Sequence, residues 1–413
     1  MRHFGFVAIL LMALSVHAGS ATTHFDAKSD LAAEREAKWS KKTLGIRLDF
    51  QGDSTDRSLM LRAIEKAVEL WNSVDAGAPR LRIMDSRRGP RRFSEISIRF
   101  ARSEEDLSLF SGVDSEAAAF TRLFANSNGE IGRAVIIINP FTDFDSKNSS
   151  GSVSFQWMIA HELGHALGMA HSASLSSLMF PRARATTSSE NVSALLSEVD
   201  RTELRTLYGG DDQSCCLTIK GTVTAPFGED LSGYTIAVES LSDSRLLAVR
   251  QLSSDGSFRV GGLNEREIGI RVLNRHSIVV GVIDTVVEQP YGDPARVLEL
   301  EPVSIVPRHI DSHPLLGKDE WLSTSSIDSN GSEALEFKLG FNKRGDFKGV
   351  VFGHFGGVFA DFNSELALLS QDWIVWKITM NSGDRPISDG EYSFYIDGDG
   401  FSIMIPGALR LRN

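Results

Sequence analysis

The sequence predicts an α+β domain over residues 40–209 followed by all-β domains, on three observations. Strand-like and helix-like patterns alternate through 40–209. A helix from about Ser154 to Gly168 carries His161, Glu162 and His165 and ends on glycine. Beyond residue 216 the texture changes to short strands at sandwich-like spacing. A chain of 413 residues is also too long for one ordinary core.

The N-terminus reads as an export signal over residues 1–18. Arg2 and His3 begin it, residues 4–16 are apolar, and Val16-His17-Ala18 offers a small-residue cleavage site. That apolar stretch is too short to span a bilayer but fits the core of a signal peptide. No later stretch is long and apolar enough for a membrane helix. The protein is therefore expected outside the cytoplasm, secreted or in the periplasm. Residues 19–39, polar and Ala-rich, read as a short pro-segment or flexible lead.

A content of 42% hydrophobic and 23% charged residues is that of a globular protein. The net charge of -11 argues against a nucleic-acid partner, which needs a basic face. The only cysteines, Cys215 and Cys216, are adjacent, so no disulfide framework exists. Two free thiols in a linker are the plainer reading. A strained vicinal bridge or a bond to another chain are the alternatives. Such economy in cysteine fits a bacterial exported protein better than an animal one.

Within the first domain, Leu44–Phe50 alternates apolar and polar residues, the mark of a half-buried strand. Residues 56–72 set Leu59, Leu61, Ile64, Ala67, Val68 and Trp71 at helical spacing. Leu81–Met84, Glu95–Phe100 and Arg133–Asn139 read as further strands, and Ser86–Arg92 as a charged turn. A last helix near 197–208 opens with Ser197 and, three residues on, Asp200, an N-capping pattern. It closes on Gly209, available for a left-handed cap. Residues 210–216 follow as a linker.

The chemistry lies in His161-Glu162-Leu163-Gly164-His165-Ala166-Leu167-Gly168-Met169-Ala170-His171. On a helix His161 and His165 stand one turn apart on the same face, so both imidazoles reach one ion. Glu162, offset by one residue, stands beside the metal rather than on it. Gly168 lets the chain leave the helix and turn back, which brings His171 in as a third ligand. Three neutral imidazoles suit a catalytic zinc, which keeps a position for water. Glu162 then serves as general base and returns the proton to the leaving amine.

This stretch resembles the metzincin clan of zinc peptidases and, within it, the matrixins, the group of matrix metalloproteinases and their bacterial relatives. Ser172 after the third histidine is the matrixin choice. Ser177-Leu178-Met179-Phe180-Pro181 is similar to the Met-turn, and Leu196–Asp200 with Leu207-Tyr208-Gly209 to the closing helix. The resemblance covers about 40–209. It implies a metzincin catalytic domain, a twisted mixed sheet with an active-site helix, acting as a secreted zinc metalloendopeptidase on protein or peptide substrates. It also implies Met179 as the base beneath the zinc. Ala134–Asn139 would be the edge strand above the metal, so Ala134, Ile136 and Ile138 would bind substrate, with Phe180 and Pro181 in a pocket wall. Departures are the missing cysteine switch, the missing structural-zinc histidines, and Ala183 where matrixins often carry tyrosine.

Residues 217–303 resemble the transthyretin-like, carboxypeptidase-regulatory β-sandwich, on Lys220-Gly221-Thr222-Val223 and Asp255–Leu263. Residues 304–413 are again strand-like, their aromatics reading as core; either accessory domain is a candidate for docking substrate or matrix. Calcium is undecided, its candidates being the acidic turns Asp328–Gly331 and Asp397–Gly400. The rival reading from another class is an extracellular binding protein or adhesin with a secondary or inactive peptidase domain.

Overall fold

The computed structural model describes residues 37–305 except 51–54, 75, 85–94, 112–116, 143, 145–153, 175, 181–195, 210–215, 227–229, 232, 266, 275–277 and 287–296. It also describes the backbone of the strands at 7–11 and within 321–411. Two compact units emerge, one built mainly from residues 28–171 and 178–210, the other mainly from 211–413.

The first unit is a mixed sheet with helices packed on it. In chain order its elements are β1 (Val7–Leu11), β2 (Thr43–Asp49), α1 (Thr55–Asn72), β3 (Arg80–Ile83), β4 (Ile96–Phe100), α2 (Glu104–Ser108), β5 (Ala119–Ala125), β6 (Ile131–Ile138), α3 (Phe155–Ala166) and α4 (Glu198–Tyr208). The sheet order is β1-β5-β6-β4-β2-β3. Strands β3, β2, β4 and β6 run parallel, and β5 is reversed against β6. Among the described residues no helix is long and apolar enough to cross a membrane.

Alternation decides which faces are buried. On β2, Leu44 and Ile46 point into the core while their neighbours are partly exposed. On α1, Ile64, Ala67, Val68 and Trp71 form the buried stripe, and Trp71 donates Nε1–H to the Ala160 carbonyl of α3 at 2.8 Å. Leu59 was expected on that stripe; it stands 47% exposed, because the packed face begins a turn later.

Three further expectations need correction. Ala134–Asn139 is not an edge strand. Its residues 134–138 belong to β6, inside the sheet, with β4 pairing them on one side and β5 on the other. Ala134, Ile136 and Ile138 are fully buried and their backbone groups are taken, so they cannot pair with a substrate. The strand at the reversed side is β5, which no pattern had marked. The lead over 19–39 is also too long: Ala37 and Trp39 are buried in this unit. Trp39 donates Nε1–H to Ala166 O at 2.8 Å, and Lys38 N–H donates to Gly129 O at 2.9 Å. Finally, Gly209 has φ -69°, so α4 closes without the left-handed cap.

In the second unit the strands are β7 (Leu217–Thr224), β8 (Thr235–Ser240), β9 (Leu246–Gln251), β10 (Ser257–Leu263), β11 (Glu267–Leu273), β12 (Val279–Val286), β13 (Val297–Glu299) and β14 (Val303–Ser304). They form two sheets, β10-β7-β13 with β14 beside β7, and β12-β11-β8-β9. One apolar core runs between them, through Ile219, Val238, Val260, Ile270 and Ile305. The remaining strands are β15 (Trp321–Ile327), β16 (Glu333–Phe341), β17 (Phe347–Gly356), β18 (Glu365–Leu366), β19 (Trp376–Lys377), β20 (Gly390–Gly398) and β21 (Phe401–Leu411). They pair as β15-β16-β17 and β18-β19-β20-β21. Cys216 is disulfide-bonded, so the reading of two free thiols is corrected; Cys215 lies outside the described residues. The charged turn at 86–92 and the first acidic turn, 328–331, lie outside the described residues, as do Asp399 and Gly400 of the second.

Candidate metal centre

Helix α3 begins on Ser154, whose hydroxyl accepts from Trp157 N–H, and buries nearly every side chain it carries. A histidine on such a helix is desolvated unless something takes its lone pair. His161, His165 and His171 bring their ligand atoms within 4.8 Å of one another. The Nε2 atoms of His161 and His165 are buried and have no hydrogen-bond partner among the described residues. Buried polar atoms are rarely left so, and here they share one focus.

The local sequence produces that convergence. His161 and His165 are one helical turn apart. The chain then leaves α3 by a Schellman turn: Gly168 N–H donates to His165 O at 2.8 Å and Met169 N–H to Gly164 O at 3.1 Å. This requires Gly168 at φ +96°, where a side chain would also strike the Ala37 carbonyl. The last carbonyls of the helix are covered from outside. Trp39 takes that of Ala166, and Tyr208 Oη donates to Leu167 O at 2.6 Å.

Backbone carbonyls fix the imidazole tautomers. His161 Nδ1 lies 2.7 Å from Leu178 O and His165 Nδ1 2.9 Å from Met169 O. A carbonyl only accepts, so each Nδ1 carries the proton and each Nε2 presents a lone pair. Trp157 stacks on His161, with ring centroids 5.1 Å apart. Met179 is buried against Gly164, where any side chain would collide with its sulfur and with Trp71.

One residue that the sequence marked only as a helix cap, Asp200, joins these parts. Its carboxylate accepts from Leu178 N–H at 2.8 Å, Met179 N–H at 3.3 Å and Ser197 N–H at 2.9 Å. The Ser197–Asp200 capping box therefore also holds the turn whose carbonyl orients His161. Of the expected pocket wall, Phe180 is buried, and Pro181 and Ala183 lie outside the described residues.

Electrostatics favour neutral ligands. Burial, and then neighbouring imidazoles, hold His161 and His171 well below the ordinary histidine value; burial takes His165 down to about 4. Burial raises Glu162 to about 7, opposed by a hydrogen bond from Thr121. A folded pKa below the unfolded one means that the unfolded chain takes up the proton first. The metal-free protein is therefore expected to lose stability as pH falls from about 6.5 towards about 4, the three histidines together outweighing Glu162, whose raised pKa acts in the opposite direction. Urea unfolding of zinc-stripped protein at pH 8, 6 and 4.5 checks this, and a flat profile would contradict it.

Three imidazoles whose ligand atoms lie within 4.8 Å of one another, beside a buried carboxyl, could hold a metal ion. Comparison places the site more narrowly. Residues 38–209 match the matrixin family model, and this stretch is a matrixin-like domain. Rattus norvegicus stromelysin-2 is 32% identical over 192 residues, covering 43% of this chain and 34% of its own length. Equus caballus stromelysin-1 is 30% identical over 175 residues, covering 42% and 33%. The chain thus spans about a third of the length of these curated relatives.

Proposed function

We propose that the protein is an exported zinc-dependent metalloendopeptidase, with His161, His165 and His171 as zinc ligands and Glu162 as general base. The observation that carries this is the convergence of two buried imidazoles and a partly buried third next to a buried carboxyl. The donor set suits zinc, which favours nitrogen ligands in threes and leaves a position open. When bound, zinc would lower the pKa of a water molecule to about 7 and polarise the scissile carbonyl.

Glu162 performs the proton chemistry. Its Oε1 is buried and without a hydrogen-bond partner among the described residues, so it is available to take the proton of the attacking water. The same carboxyl then passes that proton to the departing amine.

Substrate pairing belongs to β5. Removal of residues 1–18 on export would take away β1, which pairs 119–125 through register Val7↔Ala125 to Leu11↔Thr121. The outer edge of β5 would then accept an extended peptide through main-chain hydrogen bonds, with Phe180 and Pro181 contributing to a side-chain pocket. The accessory β domains would dock substrate or matrix.

The test is a cleavage profile of an unfolded protein mixture by the purified mature protein, with and without chelator. Internal cleavages that vanish with chelator and return with zinc are expected. No cleavage by zinc-loaded protein would favour the adhesin reading.

A further inference from the structure

Strand β5 packs one face on the main core under α3 and the other on a small cluster formed with Phe110, Val135 and Ile137. By alternation the inner face is Ala119, Thr121, Leu123 and Ala125, each 3% exposed or less. Three of these are apolar, as the position demands. Thr121 is the polar member, and a hydroxyl in that layer costs stability unless it is hydrogen-bonded.

Its partners both lie on Glu162. Thr121 Oγ1 is 2.5 Å from the carboxylate Oε2 and 3.2 Å from the backbone oxygen of the same residue. A hydroxyl has one proton to give, and the nearer acceptor is the carboxylate. The other carboxylate oxygen, Oε1, has no hydrogen-bond partner among the described residues. The two oxygens are therefore in different situations, one tethered and one open.

We infer that Thr121 is a positioning residue for the reaction: its hydroxyl holds Oε2 of Glu162 so that Oε1 is the oxygen that takes the proton. The inference rests on the reading of Glu162 as general base. Without the tether the buried carboxylate turns about its own side-chain torsions and spends less time aimed at the water. Loss of aim acts on the chemical step and leaves ground-state binding alone. Nothing in the role requires contact with substrate.

The test uses the full zinc-loaded chain as wild type, Thr121→Val and Thr121→Ser. Zinc content, kcat and KM are measured with a peptide that the wild type cleaves. Equilibrium binding of two peptide-like inhibitors is compared, one ending in a hydroxamate, whose hydroxyl donates to the base, and one in a thiol, which needs only the metal. The Val variant, equal in shape without the donor, should keep its zinc and its KM within about twofold and lose about 10- to 100-fold in kcat, the range of a hydrogen bond to a charged group. Its hydroxamate affinity should fall about tenfold with thiol affinity unchanged. The Ser variant should recover kcat to within about threefold of wild type. Should the Val variant fail to fold, Thr121→Cys, close in size and a poor donor, carries the same expectations. A folded Val or Cys variant with kcat within about threefold of wild type, or with both inhibitors weakened alike, would overturn the inference. Wild-type protein without zinc-dependent cleavage would overturn the general-base reading itself, a distinguishable result.

Discussion

Glu162→Gln should lower kcat by about 10²–10⁴-fold, the range of a general base, while zinc content stays unchanged. Glutamine fills the same volume, and its amide oxygen can still accept the Thr121 hydrogen bond. It has no basic oxygen to receive the proton of the attacking water and none to return to the leaving amine. The side chain stands one residue past His161 and outside the ligand set, so the metal should not notice the change. Kinetics on a peptide substrate, paired with metal analysis of the same sample, give both numbers. A variant within about threefold of wild type would exclude Glu162 from proton transfer, since that lies far inside the expected range.

His165→Ala should abolish metal binding at near-neutral pH and, with it, essentially all turnover. The physical reason is the ligand count, because a zinc site with three protein ligands has none to spare. His165 also ties α3 to its exit turn through Met169 O, so its loss loosens the segment that delivers His171. Dialysis against a dilute chelator followed by metal analysis should find zinc in wild type and none in the variant. Retained zinc with retained activity would mean that another residue supplies the third ligand.

Much of this centre was legible in the sequence because the helix imposes its own geometry. Spacing of four puts His161 and His165 on one face, and Gly168 announces the turn that presents His171. The capping box of α4 was also readable, since Ser197 and Asp200 meet locally. Its reach to the turn at Leu178 and Met179 was not, because nothing in a residue 21 or 22 positions away marks that carboxylate as their acceptor. Strand β5 was missed for a different reason. One face is buried and the other largely covered, so the segment lacks the apolar–polar alternation that reveals a half-exposed strand, and its two alanines carry no strand preference. Missing it moved the edge to β6, whose isoleucine run belongs to a strand paired on both sides. Trp39 shows the same limit: its bonds reach Ala166 and Tyr208, far along the chain, and its own neighbourhood reads as a polar lead.

On the proposed function, one zinc ion at His161, His165 and His171 switches on peptide hydrolysis. Stripping the purified mature protein with chelator and titrating zinc back while following hydrolysis of one peptide tests it most directly. Activity should rise linearly with added zinc and break sharply at one equivalent per chain, and the His165→Ala variant should stay inactive throughout. Hydrolysis that persists in the stripped protein, or that climbs equally in that variant, would contradict the account.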